Sequence, residues 1–233
     1  MTIEAFNLAE KFQIPVLIIS DKYLAESHGT SETFDHNRIR IDRGNIITEY
    51  EGIEEYKRHK LTDDGVSPRA VPGTKGAIVR TNADEHNELG YTTEDPALTT
   101  EMADKRFRKL TALSKERENI ETTKFYGPKE ADATVLAWGS TKGPIREAMK
   151  ILDKEGFKVN YLQVVYLSPF PVAKVQKILG SAKKTIIVEN NQTSQLSSMI
   201  REHLLRTVDH TILKYDGRPF NPEALAKSIK EVL

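Results

Sequence analysis

The residues best suited to acid–base chemistry are concentrated between positions 84 and 88. Asp84, Glu85 and His86 are followed at once by Asn87 and Glu88. Carboxyl and imidazole groups this close together could place a general acid or base beside a substrate. The pattern is a poor metal site, because no second histidine stands at helical spacing from His86. Most carboxylate-rich loops are solvated or cap a helix, so the residues by themselves favour a structural role over catalysis.

A short loop bracketed by prolines offers a second candidate. Residues 66–73 read Val-Ser-Pro-Arg-Ala-Val-Pro-Gly and carry one cation, Arg69. A guanidinium group binds a carboxylate in bidentate fashion, and the proline rings restrict the backbone that holds it. Arg69 is therefore a candidate clamp for a carboxylate. A plain surface loop accounts for the same residues equally well.

Three further motifs follow predicted strands. Residues 139–143 precede a helix whose free N–H groups could hold an anion, but they match neither a P-loop nor a dinucleotide fingerprint, so a capped tight turn is favoured over a coenzyme contact. Residues 189–191 end a strand, where they could bind a ligand or partner or equally well cap the next helix. Residues 214–220 form a turn, and Arg218 there suits a structural salt bridge better than a ligand contact.

The C-terminal part repeats one pattern four times, a strand followed by a helix. The predicted strands are 134–138, 158–165, 185–188 and 210–213, and the predicted helices are 144–156, 171–179, 193–206 and 221–233. Such alternation with short loops specifies right-handed crossovers and an open parallel sheet. The sequence therefore predicts an α/β domain over residues 131–233, with at least four parallel strands flanked by helices.

The N-terminal residues predict the last unit of a truncated α/β domain. Apolar residues between 5 and 12 fit a helix, and residues 16–19 form an unbroken apolar run that is typical of a strand buried on both faces. Nothing upstream supplies neighbouring strands. The alternative is that residues 16–19 join the later sheet.

Residues 26–130 show little periodicity, and we expect them to form an extended, ordered arm. Strand-like pieces occur at 38–41 and 77–80, and an interrupted apolar stripe predicts one long helix over 99–120. The basic run 105–109 on that helix is interpreted as a solvated face, because too few aromatic residues interleave for single-strand nucleic-acid binding.

Composition excludes several classes of function. Lys plus Arg equals Asp plus Glu at 34 each, so no net field draws the 233-residue chain to nucleic acid or to an acidic membrane surface. The absence of cysteine excludes disulfides, thiolate catalysis and cysteine-ligated iron–sulfur clusters within the chain. No apolar run is long enough for a membrane span and no signal-peptide pattern is present, so we expect a cytoplasmic location.

Several of these segments, in this order, resemble the alpha subunit of the 2-oxoacid:ferredoxin oxidoreductases over nearly the whole chain. The residues that carry the resemblance are 5–10, 15, 20–24, 65–73, 84–86, 88, 90, 105–106, 109, 138–143, 188–191 and 214–220. The resemblance implies that residues 1–25 finish a thiamine pyrimidine-binding domain. It also implies that residues 26–130 connect this end to a transketolase C-terminal-like domain over 131–233.

The resemblance also implies an activity. Enzymes of this family decarboxylate a 2-oxoacid on thiamine diphosphate, pass the electrons through iron–sulfur clusters to ferredoxin and transfer the acyl group to coenzyme A. The implied cofactors are thiamine diphosphate, Mg²⁺ and 4Fe–4S clusters, bound mainly by other chains or by a missing N-terminal part, with coenzyme A as co-substrate. The implied partners are the beta subunit, a polypeptide carrying the pyrimidine and gamma domains, and ferredoxin, with no nucleic acid and no membrane.

For the site, the resemblance implies that Arg69, Asp84, Glu85 and His86 face the active site and that residues 214–218 are structural. The chain departs from the family in lacking the Tyr-Pro-Ile-Thr-Pro-Ser-type and Gly-Asp-Gly motifs and the cluster cysteines, so we expect it to be inactive alone. Asn87 and Ser194 stand where Asp and Gly are expected. The alternative function is a non-catalytic assembly or regulatory module, and a small nucleotide-binding protein is disfavoured by the missing phosphate fingerprint.

Overall fold

The computed structural model describes residues 1–116 and 120–233. The chain divides into two compact units. Unit 1 consists of Met1–Ile18 and Ser31–Asn119, and unit 2 of Ile19–Thr30 and Ile120–Leu233. The helices are α1 (Thr2–Phe12), α2 (Lys22–Glu26), α3 (Pro96–Glu116), α4 (Lys142–Lys154), α5 (Val172–Ser181), α6 (Gln195–Leu204) and α7 (Pro222–Glu231). The strands are β1 (Ile46–Glu49), β2 (Arg69–Lys75), β3 (Thr123–Tyr126), β4 (Ala133–Trp138), β5 (Val159–Val164), β6 (Thr185–Glu189) and β7 (His210–Leu213). The predicted division at 25/26 and 130/131 stays a prediction.

Unit 1 contains a two-stranded parallel sheet, in which Ile46 of β1 pairs with Arg69 of β2. The buried Tyr56 fixes the start of β2, because its hydroxyl donates to Pro68 O (2.8 Å) and accepts from Ala70 N (2.8 Å). The prediction that residues 66–73 are entirely loop is therefore wrong from Arg69 onward. Tertiary hydrogen bonds supply a partner strand that the proline-rich sequence did not suggest.

Three predicted strands are absent from the described residues. Residues 38–41 and 77–80 contain no strand, and His36–Arg38 instead form a 3₁₀ turn. Residues 16–19 also form no strand, and Leu17 is 86% exposed. A buried strand needs neighbours that satisfy its N–H and C=O groups, and no strand of the described residues pairs with this run.

Helix α3 confirms the long predicted helix and begins three residues earlier than expected, at Pro96. The Asp95 carboxylate caps it by accepting from Leu98 N at 2.8 Å. Residues 117–119 of the predicted span lie outside the described residues, and Ile120, its last residue, is not helical.

Unit 2 contains a five-stranded sheet with the order β3-β5-β4-β6-β7. The strands β5, β4, β6 and β7 are parallel, as predicted, and each is followed by its predicted helix. The edge strand β3 pairs antiparallel with β5 and was not predicted. Its sequence Thr-Lys-Phe-Tyr is short and half polar, so it lacks the apolar run of a central strand.

Both faces of this sheet are covered by helices. Alternate residues of β4 point to opposite faces, so Val135 packs on one hydrophobic cluster with residues of α4 and α7, and Leu136 on another with residues of α5 and α6. Leu136 also lies between Leu162 of β5 and Ile187 of β6 in register. This arrangement is the predicted α/β layer architecture.

No helix within residues 1–116 or 120–233 is both long enough and apolar enough to cross a lipid bilayer.

Candidate functional site

Arg69 lies at the start of β2, where its backbone N–H donates to Asn45 O at 2.8 Å. Its Nη2 forms an ion pair with the carboxylate of Glu10, which Arg43 Nε also contacts at 3.1 Å. The neighbouring guanidinium groups, Arg69 above all, lower the pKa of Glu10. The Nε atom of Arg69 is buried and has no hydrogen-bond partner among the described residues. Arg69 therefore keeps a free donor beside its ion pair.

The turn that carries Asp84 and His86 is held mainly by backbone contacts. Asp84 N donates to Asn82 Oδ1 (2.8 Å), and His86 Nδ1 lies 2.8 Å from Asp84 O. A carbonyl oxygen can only accept, so Nδ1 carries the proton in this contact and Nε2 of a neutral His86 is the proton acceptor. Asn87 Oδ1 accepts from Tyr91 N at 3.1 Å. An Asp at 87 could accept the same bond, so this departure from the family leaves the turn intact.

Glu85 is committed to an ion pair with Arg106 of α3. Two hydrogen bonds join their side chains, at 3.0 Å and 2.6 Å. The pairing with Arg106 lowers the pKa of Glu85 and raises the pKa of Arg106. Glu85 is thus held ionised, and its geometry suits anchoring the turn to α3 better than proton transfer.

His59, for which no sequence motif predicted a role, lies beside His86 with 4.0 Å between ring centroids and the two rings tilted by 54°. Burial above all, and then the neighbouring His86 and Arg58, lowers the pKa of His59 to about 3. Its Nε2 atom is buried without a partner among the described residues. Two imidazoles are therefore brought together by residues 27 positions apart in the chain.

Lys105 is buried, with only 5% of its surface exposed. Its Nζ donates to Ser67 Oγ (2.6 Å) and to His59 O (2.9 Å), and burial followed by repulsion from Lys109 and Arg58 lowers its pKa to about 8. The prediction of a solvated face over 105–109 is therefore wrong for Lys105. The residues 58–67 pack over this side of α3 and exclude water from it.

Arg58, Arg69, Lys105 and Lys109 form what we call the cationic cluster. Three of them, Arg58, Lys105 and Lys109, form no ion pair with any described residue. Arg58 and Lys109 are instead held by neutral acceptors of one residue, Oε1 and O of Gln13. Burial lowers the pKa of each of these three, and they repel one another. Like charges held together in this way create a positive potential that suits carboxylate or phosphate groups.

The titration of His59 predicts an acid-sensitive unit 1. The folded pKa of about 3 lies below the ordinary 6.5, so the unfolded chain binds a proton first as the pH falls below 6.5. The free energy of unfolding should then fall between pH 6.5 and 3, with a slope of at most about 1.4 kcal/mol per pH unit. Urea unfolding followed by circular dichroism at several pH values measures this slope. His59→Gln should flatten it, whereas the exposed control His36→Gln should not; equal slopes in wild type and His59→Gln would contradict the assignment.

In unit 2, the side chain of Glu189, the last residue of β6, caps helix α6. The buried carboxylate of Glu189 accepts from Trp138 Nε1 (2.9 Å), Asn191 Nδ2 (2.7 Å) and Leu196 N (3.0 Å). It thereby closes the N-terminus of α6. The capping interpretation of residues 189–191 is therefore realised by Glu189 and by Asn191, whose Oδ1 accepts from Gln195 N at 3.2 Å.

The turns at 139–143 and 214–220 are each held by hydrogen bonds between neighbouring residues of the turn. Gly139–Thr141 form a 3₁₀ turn that leads directly into α4, and Thr141 Oγ1 donates to Trp138 O at 2.7 Å. In the second turn, the salt bridge joins Lys214 to Asp216 and does not involve Arg218. Nowhere in the described parts of the chain do three His, Asp or Glu side chains come together in a metal-binding group.

Comparison with known proteins gives consistent matches. Residues 131–225 match the family model of the pyruvate:ferredoxin oxidoreductase core domain II. The alpha subunit of 2-oxoacid:ferredoxin oxidoreductase 2 of Aeropyrum pernix is 36% identical over 233 residues, 99% of this chain and 36% of that subunit. The 2-oxoglutarate synthase subunit KorA of Methanocaldococcus jannaschii is 27% identical over 98% of this chain and 59% of that subunit.

A solved structure matches across both units. It is the 2-oxoglutarate:ferredoxin oxidoreductase from Magnetococcus marinus with 2-oxoglutarate, coenzyme A and succinyl-CoA bound, with a TM-score of 0.85 and 35% identity. The match covers 97% of this chain and 38% of that chain. The chain thus spans little more than a third of the Aeropyrum and Magnetococcus proteins.

Proposed function

The chain belongs to the family of 2-oxoacid:ferredoxin oxidoreductase alpha subunits, and from this premise we propose that it forms part of an enzyme that oxidatively decarboxylates 2-oxoacids to acyl-coenzyme A. Electrons pass to ferredoxin. The observation that carries the proposal is the likeness of nearly the whole chain to a solved enzyme whose bound molecules are a 2-oxoacid, coenzyme A and an acyl-coenzyme A.

We propose the following division of the chain within that enzyme. Residues 1–25 complete the thiamine pyrimidine-binding domain, residues 26–130 supply loops on the substrate side, and residues 131–233 form the transketolase C-terminal-like domain. The apolar run 16–19 supports this division, because its residues Leu17, Ile18 and Ile19 are exposed and contiguous exposed apolar residues mark a surface that another domain covers.

The role assigned to unit 1 is to hold negatively charged groups. A 2-oxoacid carries a carboxylate, and three members of the cationic cluster, Arg58, Lys105 and Lys109, form no ion pair with any described residue. The fourth, Arg69, has a buried Nε atom without a hydrogen-bond partner among the described residues. His86 presents Nε2 as a proton acceptor while Asp84 O fixes its ring. Glu85 keeps the turn attached to α3 through Arg106. In this assignment Arg69 binds the carboxylate of the 2-oxoacid and His86 accepts a proton. Glu85 positions the turn that carries His86.

The cofactors of the whole enzyme do not fit the residues of this chain. An iron–sulfur cluster needs thiolates, and the sequence contains no cysteine. A Mg²⁺ ion that holds a diphosphate takes oxygen ligands, and no group of three or more His, Asp or Glu side chains assembles among residues 1–116 and 120–233. We therefore assign thiamine diphosphate, Mg²⁺ and 4Fe–4S clusters to the beta subunit and to the remaining part of the alpha subunit.

The chain is accordingly proposed to be inactive alone and to act in the cytoplasm. Its partners are the beta subunit, the polypeptide that carries the pyrimidine and gamma domains, and ferredoxin through the complex. Coenzyme A is the co-substrate of the assembled enzyme.

Reconstitution tests this proposal. The chain is co-expressed with the pyrimidine-domain polypeptide and the beta subunit, and reduction of a viologen dye is measured as a function of 2-oxoacid and coenzyme A. Activity should require this chain, and Arg69→Ala should lower it on the order of 10²-fold because a substrate carboxylate loses its positioning. The matched control is Arg43→Ala, since Arg43 contacts the same Glu10 but is 56% exposed. The control should keep nearly full activity.

Assembly is measured on the same samples by size-exclusion chromatography. An Arg69→Ala complex that assembles but does not reduce the viologen dye supports the substrate-side role of Arg69. Full activity in an assembled Arg69→Ala complex would refute that role. A complex that forms and works equally well without this chain would favour the non-catalytic assembly or regulatory module.

A further inference from the structure

The sheet of unit 2 reverses its winding direction between β4 and β6. From β4 the chain passes through α4 to β5 on one side, and then returns through α5 to β6 on the other side of β4. From β6 it leaves through α6 to β7, in the direction opposite to that of α4. Two crossovers that leave in opposite directions open a crevice at the carboxyl ends of the two strands, and open parallel sheets bind small molecules at such a reversal. The fold thus specifies where a ligand of unit 2 would lie.

A cavity of about 290 Å³ lies at this crevice. Its walls are residues at the end of β4 and in the connections that follow β4 and β6, together with part of the segment Ile19–Thr30, which belongs to the same unit. The volume is near the lower limit of small-molecule sites, so it suits one compact ligand and not a dinucleotide.

The charges around the cavity disfavour an anion. None of the described residues that line it is cationic, and Asp21 is acidic. The N-terminus of α6, where a phosphate would bind, already holds the carboxylate of Glu189 through Leu196 N. A phosphate or carboxylate would therefore meet negative charge without a counter-ion, so the ligand should be uncharged.

The polar groups that remain free are two amides and a hydroxyl. The side chains of Asn190, Gln195 and Ser140 line the cavity and form no hydrogen bond with the described part of the protein. Each offers both a donor and an acceptor. Trp138 adds an aromatic ring whose orientation is fixed by its bond to Glu189, and Leu24 adds an apolar wall. Amides read the edge of a heterocyclic base, and an aromatic ring stacks on its face.

We propose that this cavity binds an uncharged nucleoside. The base lies against Trp138, and Asn190 and Gln195 bond to its edge. The site uses no residue of the cationic cluster, and its proposed base-binding residues Trp138, Asn190 and Gln195 lie outside the loops that the proposed function places on the substrate side. One wall of the cavity, within residues 19–24, belongs to the segment that the proposed function assigns to the pyrimidine-binding domain.

Titration of the full chain with adenosine tests the proposal. Trp138 is the only tryptophan, so its fluorescence reports the cavity directly. Adenosine should change the emission in a saturable manner. Asn190→Ala and Gln195→Ala should each raise the Kd by about tenfold or more, since each removes a paired amide. The matched control Gln192→Ala changes an exposed amide outside the cavity and should leave the Kd unchanged.

Adenosine monophosphate serves as the charged comparison and should bind at least about tenfold more weakly than adenosine, because Glu189 and Asp21 repel its phosphate. Circular dichroism establishes that the variants remain folded, which is expected for exposed residues. The proposal is overturned if adenosine gives no saturable change, if the Asn190 and Gln195 variants bind as the wild type does, or if the monophosphate binds more tightly.

Discussion

Replacing Glu189 with alanine is expected to lower the free energy of unfolding of unit 2 by about 3 to 5 kcal/mol. The Glu189 side chain is fully buried and accepts hydrogen bonds from an indole, an amide and a backbone N–H. Its removal leaves the Trp138 and Leu196 donors buried without an acceptor, and each such donor costs about 1 to 3 kcal/mol. The lost side-chain volume adds a cavity term.

Urea unfolding followed by Trp138 fluorescence measures this loss, because the only tryptophan of the chain lies in unit 2 beside Glu189. The matched control is Glu202→Ala, an exposed glutamate on α6, which should change the free energy by less than about 0.5 kcal/mol. Glu189→Gln should fall between the two, since the amide oxygen still accepts. A loss below about 1 kcal/mol for Glu189→Ala would show that the donors find other partners.

Gly65→Ala is expected to separate the loop that precedes β2 from α3. Gly65 has φ +78°, which costs a residue with a side chain about 1 to 2 kcal/mol. Its added Cβ would also lie 2.3 Å from Lys105 O, a backbone atom that cannot move alone. We expect unit 1 to lose about 2 to 5 kcal/mol, because backbone strain and steric overlap add. The Ser67–Lys105 bond should break.

Gly73→Ala is the matched control. Gly73 has φ +93° but nothing within 4 Å of an added Cβ, so it keeps the backbone strain and lacks the overlap. Hydrogen exchange of peptides over 66–70 reports the loop, and these amides should exchange much faster in Gly65→Ala than in Gly73→Ala. Equal exchange in the two variants would mean that α3 yields to the new methyl group. In the reconstituted enzyme, Gly65→Ala should reduce activity along with loop protection, since Arg69 lies at the end of this loop.

The sequence by itself determined most of unit 2. The runs that became β4, β5 and β6 are mainly apolar, and glycines and prolines stand near several helix ends, so local patterns were enough to predict the four parallel strands and their helices. The edge strand β3 escaped prediction. Its Thr-Lys-Phe-Tyr pattern acquires strand geometry only by pairing with β5, about 40 residues away in the chain.

Only the tertiary structure decided the arrangement of unit 1. Glu10 and Arg69 are 59 residues apart, and Ser67 and Lys105 are 38 residues apart, yet each pair is in contact. Spacing within a segment carries no information about such contacts. The sequence therefore predicted a solvated face for Lys105 and did not predict a role for His59. The run 16–19 shows the opposite case, a strand that was predicted and does not form. Its apolar residues predict a buried strand, but a strand forms only where a neighbour bonds to its backbone, and that neighbour is set by the fold and not by the run itself.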